Sequence, residues 1–155
     1  MSGPAPAHRP VAAPNERSVA ELWRAYLARI GETPEATGRT FTAWAFGDHA
    51  DLADELCALV LEGTKRATAG SVAEYEAEGE PIPRAGDLSV VTDGAGIARC
   101  VIRTTRVDLV PFDEIDDWLM PFIFAEGDAV AVESGAWNTL QPLVAARDNR
   151  LRLRV

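Results

Sequence analysis

A change of period at Pro81 constrains this chain more than any other feature. Ahead of it apolar residues recur at helical spacing; behind it they alternate in short runs broken by turns. Val19, Leu22, Trp23, Tyr26, Leu27 and Ile30 share one helical face behind Ser18-Val-Ala-Glu21, which reads as a capping box, and Gly31 ends the stretch. So regular a stripe assigns Trp23 and Tyr26 to core packing rather than to a stacking platform for a base. A polar connector over 32–40 leads to an alternating, strand-like run from Phe41 to Phe46. Asp48 then reads as the cap of a second helix through Leu52, Leu56, Leu59 and Val60, closed by Gly63 in the usual C′ place. Ser71-Val-Ala-Glu74 repeats the capping-box pattern for a third, short helix that ends at Gly79.

Behind Pro81, Leu88 to Thr92 reads as a strand, Asp93-Gly94-Ala95-Gly96 as a hairpin connection and Ile97 to Val110 as a long β-rich run. Asp113 to Met120 reads as a short helix, 122–136 shows no clean period, and Arg150 to Val155 alternates as a terminal strand. Helices in front and short strands behind predict an α+β fold, a small β-barrel decorated with helices rather than a doubly wound sheet. Leu88, Val90 and Val101 are expected to face inward, against the helix carrying Leu52, Leu56 and Leu59. Residues 1–17, rich in proline and small side chains, are expected to form a disordered tail ahead of a single domain over 18–155.

Composition narrows the function. The 155 residues carry a net charge of -9, which disfavours a general grip on phosphate backbones, and no DNA partner is expected. Cys57 and Cys100 make no CxxC pair and the only histidines are His8 and His49, so neither a metal site nor a cofactor is expected. In apolar surroundings the two cysteines read as buried free thiols. No leader-like or membrane-spanning apolar stretch is present, which points to the cytoplasm.

The densest run of functional groups lies between the second and third helices, in Gly63-Thr64-Lys65-Arg66-Ala67-Thr68. A threonine hydroxyl is a poor nucleophile until a base takes its proton, and a lysine can act as that base where desolvation favours the neutral amine. Pairs of this kind need no histidine. Gly70-Ser71, ahead of the third helix, offers further backbone N–H groups to an anion.

Several motifs recur in a fixed order: A-F-G-D at 45–48, A-D-E-L-C-A-L-V-L-E-G-T-K-R-A-T at 53–68, Y-E-A-E-G-E-P-I-P-R-A-G-D-L at 75–88, C-V-I-R-T-T-R-V at 100–107 and V-P-F-D-E-I-D at 110–116. Together they resemble the longer members of the ASCH domain family, over 44–116 most closely. The resemblance implies a β-barrel similar to the PUA domains of RNA-modifying proteins, and an RNA or nucleoside ligand. Some bacterial members of that family hydrolyse the amide of N(4)-acetylcytidine with a lysine and a threonine of this loop and a later glutamate. On that pattern Lys65 is the base, Thr68 the nucleophile, and Glu126 of Ala125-Glu126-Gly127-Asp128 the acid, with Asp128 the alternative. Gly63, Arg66, Tyr75 and Arg84 are the candidate ligand-binding residues. The tail departs from the family pattern, since Trp137-Asn-Thr-Leu-Gln carries no nearby histidine.

Two further readings stand beside the amidohydrolase. One is a binding module for RNA or a nucleotide without turnover, in which Lys65, Arg66 and Arg84 meet phosphate. Arg99 and Arg103 would support them from one face of an unbulged strand, and Arg106 from the other. The other is a divergent copy that folds and does neither.

Overall fold

Asn15, three residues ahead of the expected start, opens the first helix. The computed structural model describes residues 7–63, 65, 67–111, 134–147 and 150–153. Helix α1 spans Glu16–Arg29, and the Asn15 side chain accepts from the Ser18 N–H at 2.9 Å. Ser18 is thereby released from capping: its hydroxyl donates to the Asn15 carbonyl and accepts the Ala98 N–H, each at 3.0 Å. The second helix, α2 (Ala50–Glu62), by contrast starts later than expected, with His49 at its N-cap making no side-chain cap bond. Asp48, the expected cap, meets the His49 ring at 2.7 Å instead. Its C-terminus matches the expectation, with Gly63 in the left-handed region at φ 84°.

Between the two helices lies strand β1 (Thr42–Ala45), followed after α2 by β2 (Ala67–Ser71) and the short α3 (Val72–Glu78). Strands β3 (Leu88–Thr92), β4 (Ala98–Pro111), β5 (Ser134–Arg147) and β6 (Arg150–Leu153) complete the described elements. Among the described residues they form one mixed sheet in the order β1-β3-β4-β5-β2, with β6 also on β5. Among the described strands, β1 and β3 run parallel and the other pairs are antiparallel. The path begins at β1 and ends at β2 without a pairing between them, so the described strands form an open sheet and not the closed barrel that was expected. The expected short helix over 113–120 lies outside the described residues.

All five residues of β3 are buried, which sets the layering. Leu88, Val90, Ala98 and Val101 pack with Val19, Leu22, Trp23, Tyr26 and Leu27 of α1. Val91, Cys100 and Ile102 pack with Leu56, Cys57, Val60 and Leu61 of α2. The sheet therefore lies between two helices. This corrects the expectation that Leu88, Val90 and Val101 face α2: they face α1, because a strand apolar on both sides gives no pattern to choose between them. β1 alternates in the same way. Phe41 and Ala43 join the α1 side, while Trp44 and Phe46 join the α2 side, their rings 4.7 Å apart and edge to face. Trp23 and Tyr26 are core residues, as expected, with the Trp23 ring 4.5 Å from that of Phe41 and tilted against it.

Residues 9–15 are ordered against the domain, where a disordered tail was expected. The Arg9 carbonyl accepts the Ala50 N–H at 2.8 Å, supplying the bond that the N-terminus of α2 lacks from a side chain. The Ala12 N–H donates to the Gly94 carbonyl at 3.0 Å and the Asn15 N–H to the Gly96 carbonyl at 2.7 Å. The His8 ring stacks on His49 at 4.0 Å, and the Arg9 guanidinium reaches Asp51 at 3.4 Å and Asp54 at 3.7 Å. The ion pairs are exposed and contribute little, so the backbone bonds hold the strap. Deleting residues 1–14 is expected to lower stability by about 1–3 kcal/mol, from two lost backbone hydrogen bonds of ordinary net worth. An unchanged urea midpoint would show that the strap adds nothing.

Candidate functional site

The candidate loop is shorter than its sequence suggests. Gly63 turns the chain out of α2, and the Lys65 N–H then returns to the Leu59 carbonyl at 3.1 Å, folding the loop back on the last helical turn. Two residues later β2 begins, so Thr68 sits on a strand and not in a loop. It pairs in register with Asn138 of β5, and Gly70 and Ser71 pair with Ala136 and Gly135. Gly70 and Ser71 therefore belong to the ladder of β2, which replaces the expected anion-binding loop.

Folding back has one chemical consequence. Lys65 is only 3% exposed. Lysine is almost never buried to this degree without a specific environment, because its ammonium forfeits hydration. Here the Nζ lies 5.4 Å from the centroid of the Phe46 ring, which is itself buried and braced edge-on by Trp44. An aromatic face favours the charged form of a lysine, and burial favours the neutral one.

The other described candidates lie on different elements. Thr68 is partly buried on β2, three residues along from Lys65, and Tyr75 is partly buried on α3. Gly63 is the helix cap just described. Arg84 is exposed at the turn ahead of β3, where its N–H donates to the Asp87 carboxylate at 2.9 Å. It lies in the backbone of that turn, with no described contact to the loop. Arg66, Glu126 and Asp128 lie outside the described residues. The supporting arginines need a correction, since β4 is not an unbulged strand. Its register with β3 shifts at Val91/Thr92, leaving Arg99 without a partner there, and its register with β5 shifts between Thr104 and Arg106. Arg99 approaches Asp93 at 3.9 Å.

Two participants escaped the sequence reading. Phe46 supplies the ring beneath Lys65; its alternation with Trp44 was visible, but nothing local ties that strand to a loop 19 residues on. β5 supplies the backbone partner of Thr68, and its sequence, interrupted by Pro142, carries no clean alternation to announce a strand.

A family model for the ASCH domain matches residues 42–138, a span that takes in β1, α2, the loop and the start of β5. A comparison with curated proteins returns no match. Among solved structures, an ASCH domain from Lactobacillus crispatus JV V101 superposes with a TM-score of 0.67 at 18% identity, over 82% of this chain and 94% of that one. A protein from Enterococcus faecalis V583 superposes with a TM-score of 0.66 at 21% identity, over 81% of this chain and 88% of that one. At such identities the two structures bear on the fold alone.

Proposed function

The chain belongs to the ASCH domain family, and from that premise we propose that it recognises a nucleoside and hydrolyses the amide of an N(4)-acylated cytidine. Lys65 is the base, Thr68 the nucleophile and Glu126 the supporting acid. The observation that carries this reading is the burial of Lys65 over the Phe46 ring. A lysine that gripped phosphate would stand outward among other cations, whereas a lysine that must lose its proton benefits from desolvation.

The chemistry follows from that position. The neutral Lys65 amine takes the hydroxyl proton of Thr68 as the Thr68 oxygen attacks the acyl carbonyl carbon. The tetrahedral intermediate expels the N(4) nitrogen of cytidine, which receives the proton from the Lys65 ammonium. Water then hydrolyses the threonyl ester, Lys65 taking a proton from the attacking water and returning it to the Thr68 oxygen as that oxygen leaves, and the acid is released. Glu126 orients the ammonium between the steps. Gly63 fixes the chain reversal that brings Lys65 inward, and Arg66, Tyr75 and Arg84 serve the ligand.

The test is release of cytidine and acid from N(4)-acetylcytidine, with a small panel of acylated nucleosides, across pH. Turnover that rises with pH through the titration of a base is the expected result. Binding of cytidine with no turnover on any member of the panel would replace the enzyme by a binding module. Tight binding to arbitrary single-stranded RNA that falls steeply with salt would argue for phosphate contacts, against the charge balance of the chain.

A further inference from the structure

Two thiols share the core cluster formed where α2 packs on the sheet. Cys57 projects from α2 and Cys100 from β4, both free and both buried in the core cluster that also holds Phe46, Val91 and Ile102. Cys57 also lines a cleft of about 260 Å³ whose other walls are Asp54, Ala58, Leu61, Asp93 and Arg99. Three of those walls, Asp54, Asp93 and Arg99, carry ionisable side chains, so the cleft suits a small polar oxidant approaching Cys57.

We propose that Cys57 and Cys100 are an oxidisable dithiol that closes, on exposure to a peroxide, to a disulfide joining α2 to β4, with Cys57 as the sulfur that meets the oxidant. The influence of Cys100 draws the Cys57 thiol below its ordinary range, while the influence of Cys57, together with burial, holds the Cys100 thiol well above it. Arg99, on the cleft wall, adds to the effect at Cys57, while burial and the carboxylates of Asp93 and Asp54 oppose it. The division of labour follows, because the thiolate is the reactive form.

The Cys57 thiolate attacks one peroxide oxygen, the O–O bond breaks, and protonation of the departing oxygen gives water when the oxidant is hydrogen peroxide. Cys57 is then a sulfenic acid. The Cys100 sulfur attacks the Cys57 sulfur, forming the S–S bond as the hydroxyl leaves with the Cys100 proton as a second water. The two thiols lose two electrons and the peroxide gains them.

The experiment exposes the folded, reduced protein to hydrogen peroxide, then unfolds and alkylates it and reads the intact mass without reductant. The expected product is a monomer lighter by two hydrogens that takes up no alkylating agent and recovers both thiols with dithiothreitol. Cys100→Ser should stop at the sulfenic acid, which dimedone captures on Cys57. Cys57→Ser should leave Cys100 reduced under the same exposure. Full alkylation of the exposed parent protein, a disulfide between two copies, or oxidation of Cys100 in Cys57→Ser as fast as in the parent would each overturn the proposal. The parent measurement decides the matter even where a serine variant folds poorly.

Discussion

Replacing Lys65 with arginine should abolish hydrolysis of N(4)-acetylcytidine as thoroughly as replacing it with methionine. A guanidinium keeps its charge at any usable pH and cannot accept the Thr68 proton, so charge at this position is not what the reaction needs. Methionine keeps an unbranched stem of similar length in the buried slot and removes only the amine. Loss of a positioned general base costs roughly 10²–10⁴-fold in rate, and both variants should fall in that range. Circular dichroism of each variant separates loss of chemistry from loss of fold. An arginine variant as active as the parent would remove Lys65 from the role of base.

A second large effect is expected far from that site, at Gly94. A β-carbon at this position would run into the backbone of Ala50, whose oxygen, Cα and carbonyl carbon all lie in its way. Backbone atoms at the start of a packed helix cannot step aside as a side-chain end can. Gly94→Ala is therefore expected to destabilise the domain by about 1–3 kcal/mol, as overpacking does elsewhere. The exposed neighbour Ala95 is the control, since Ala95→Ser should leave the urea midpoint unchanged. Equal midpoints for the Gly94 and Ala95 variants would mean that the hairpin does not abut α2 as described.

These two positions also show where the sequence was legible. Helices α1 and α2 announced themselves through long apolar stripes, β3 as a short β-rich run bounded by turn residues, and β6 through alternation. What failed was long-range. Asp-Gly-Ala-Gly was read as a turn, and it is one, with Asp93 Oδ1 accepting the N–H groups of Ala95 and Ile97 at 3.0 Å. Its glycines have a second cause: Gly94 is pressed by Ala50, and Gly96, at φ 82°, by the Ala13 carbonyl of the strap. The strap itself is held by backbone bonds, which leave no side-chain pattern, so composition alone suggested disorder. Similarly, Ala67-Thr-Ala-Gly-Ser71 has little intrinsic strand preference and becomes β2 only because β5 pairs with it.

At the candidate site the loop stands out by its functional groups, and the roles given to Lys65 and Thr68 come from the family resemblance. The inward course of Lys65 was not readable, because it depends on the return of its N–H to Leu59 and on the ring of Phe46, just past β1. Thr68, expected in a loop, is partly buried on an edge of the described sheet, which is a firmer base for a nucleophile than a solvated turn.

The most direct test of the central claim is to look for the covalent intermediate. The protein is mixed with N(4)-acetylcytidine, quenched in acid within the first turnover, digested and read by peptide mass spectrometry. Nucleophilic attack by Thr68 predicts an acetyl group on the Thr68 hydroxyl, absent from Thr68→Ala along with nearly all turnover and reduced but present on the hydroxyl of Thr68→Ser. An acetyl group carried by another residue, or turnover undiminished in Thr68→Ala, would contradict it.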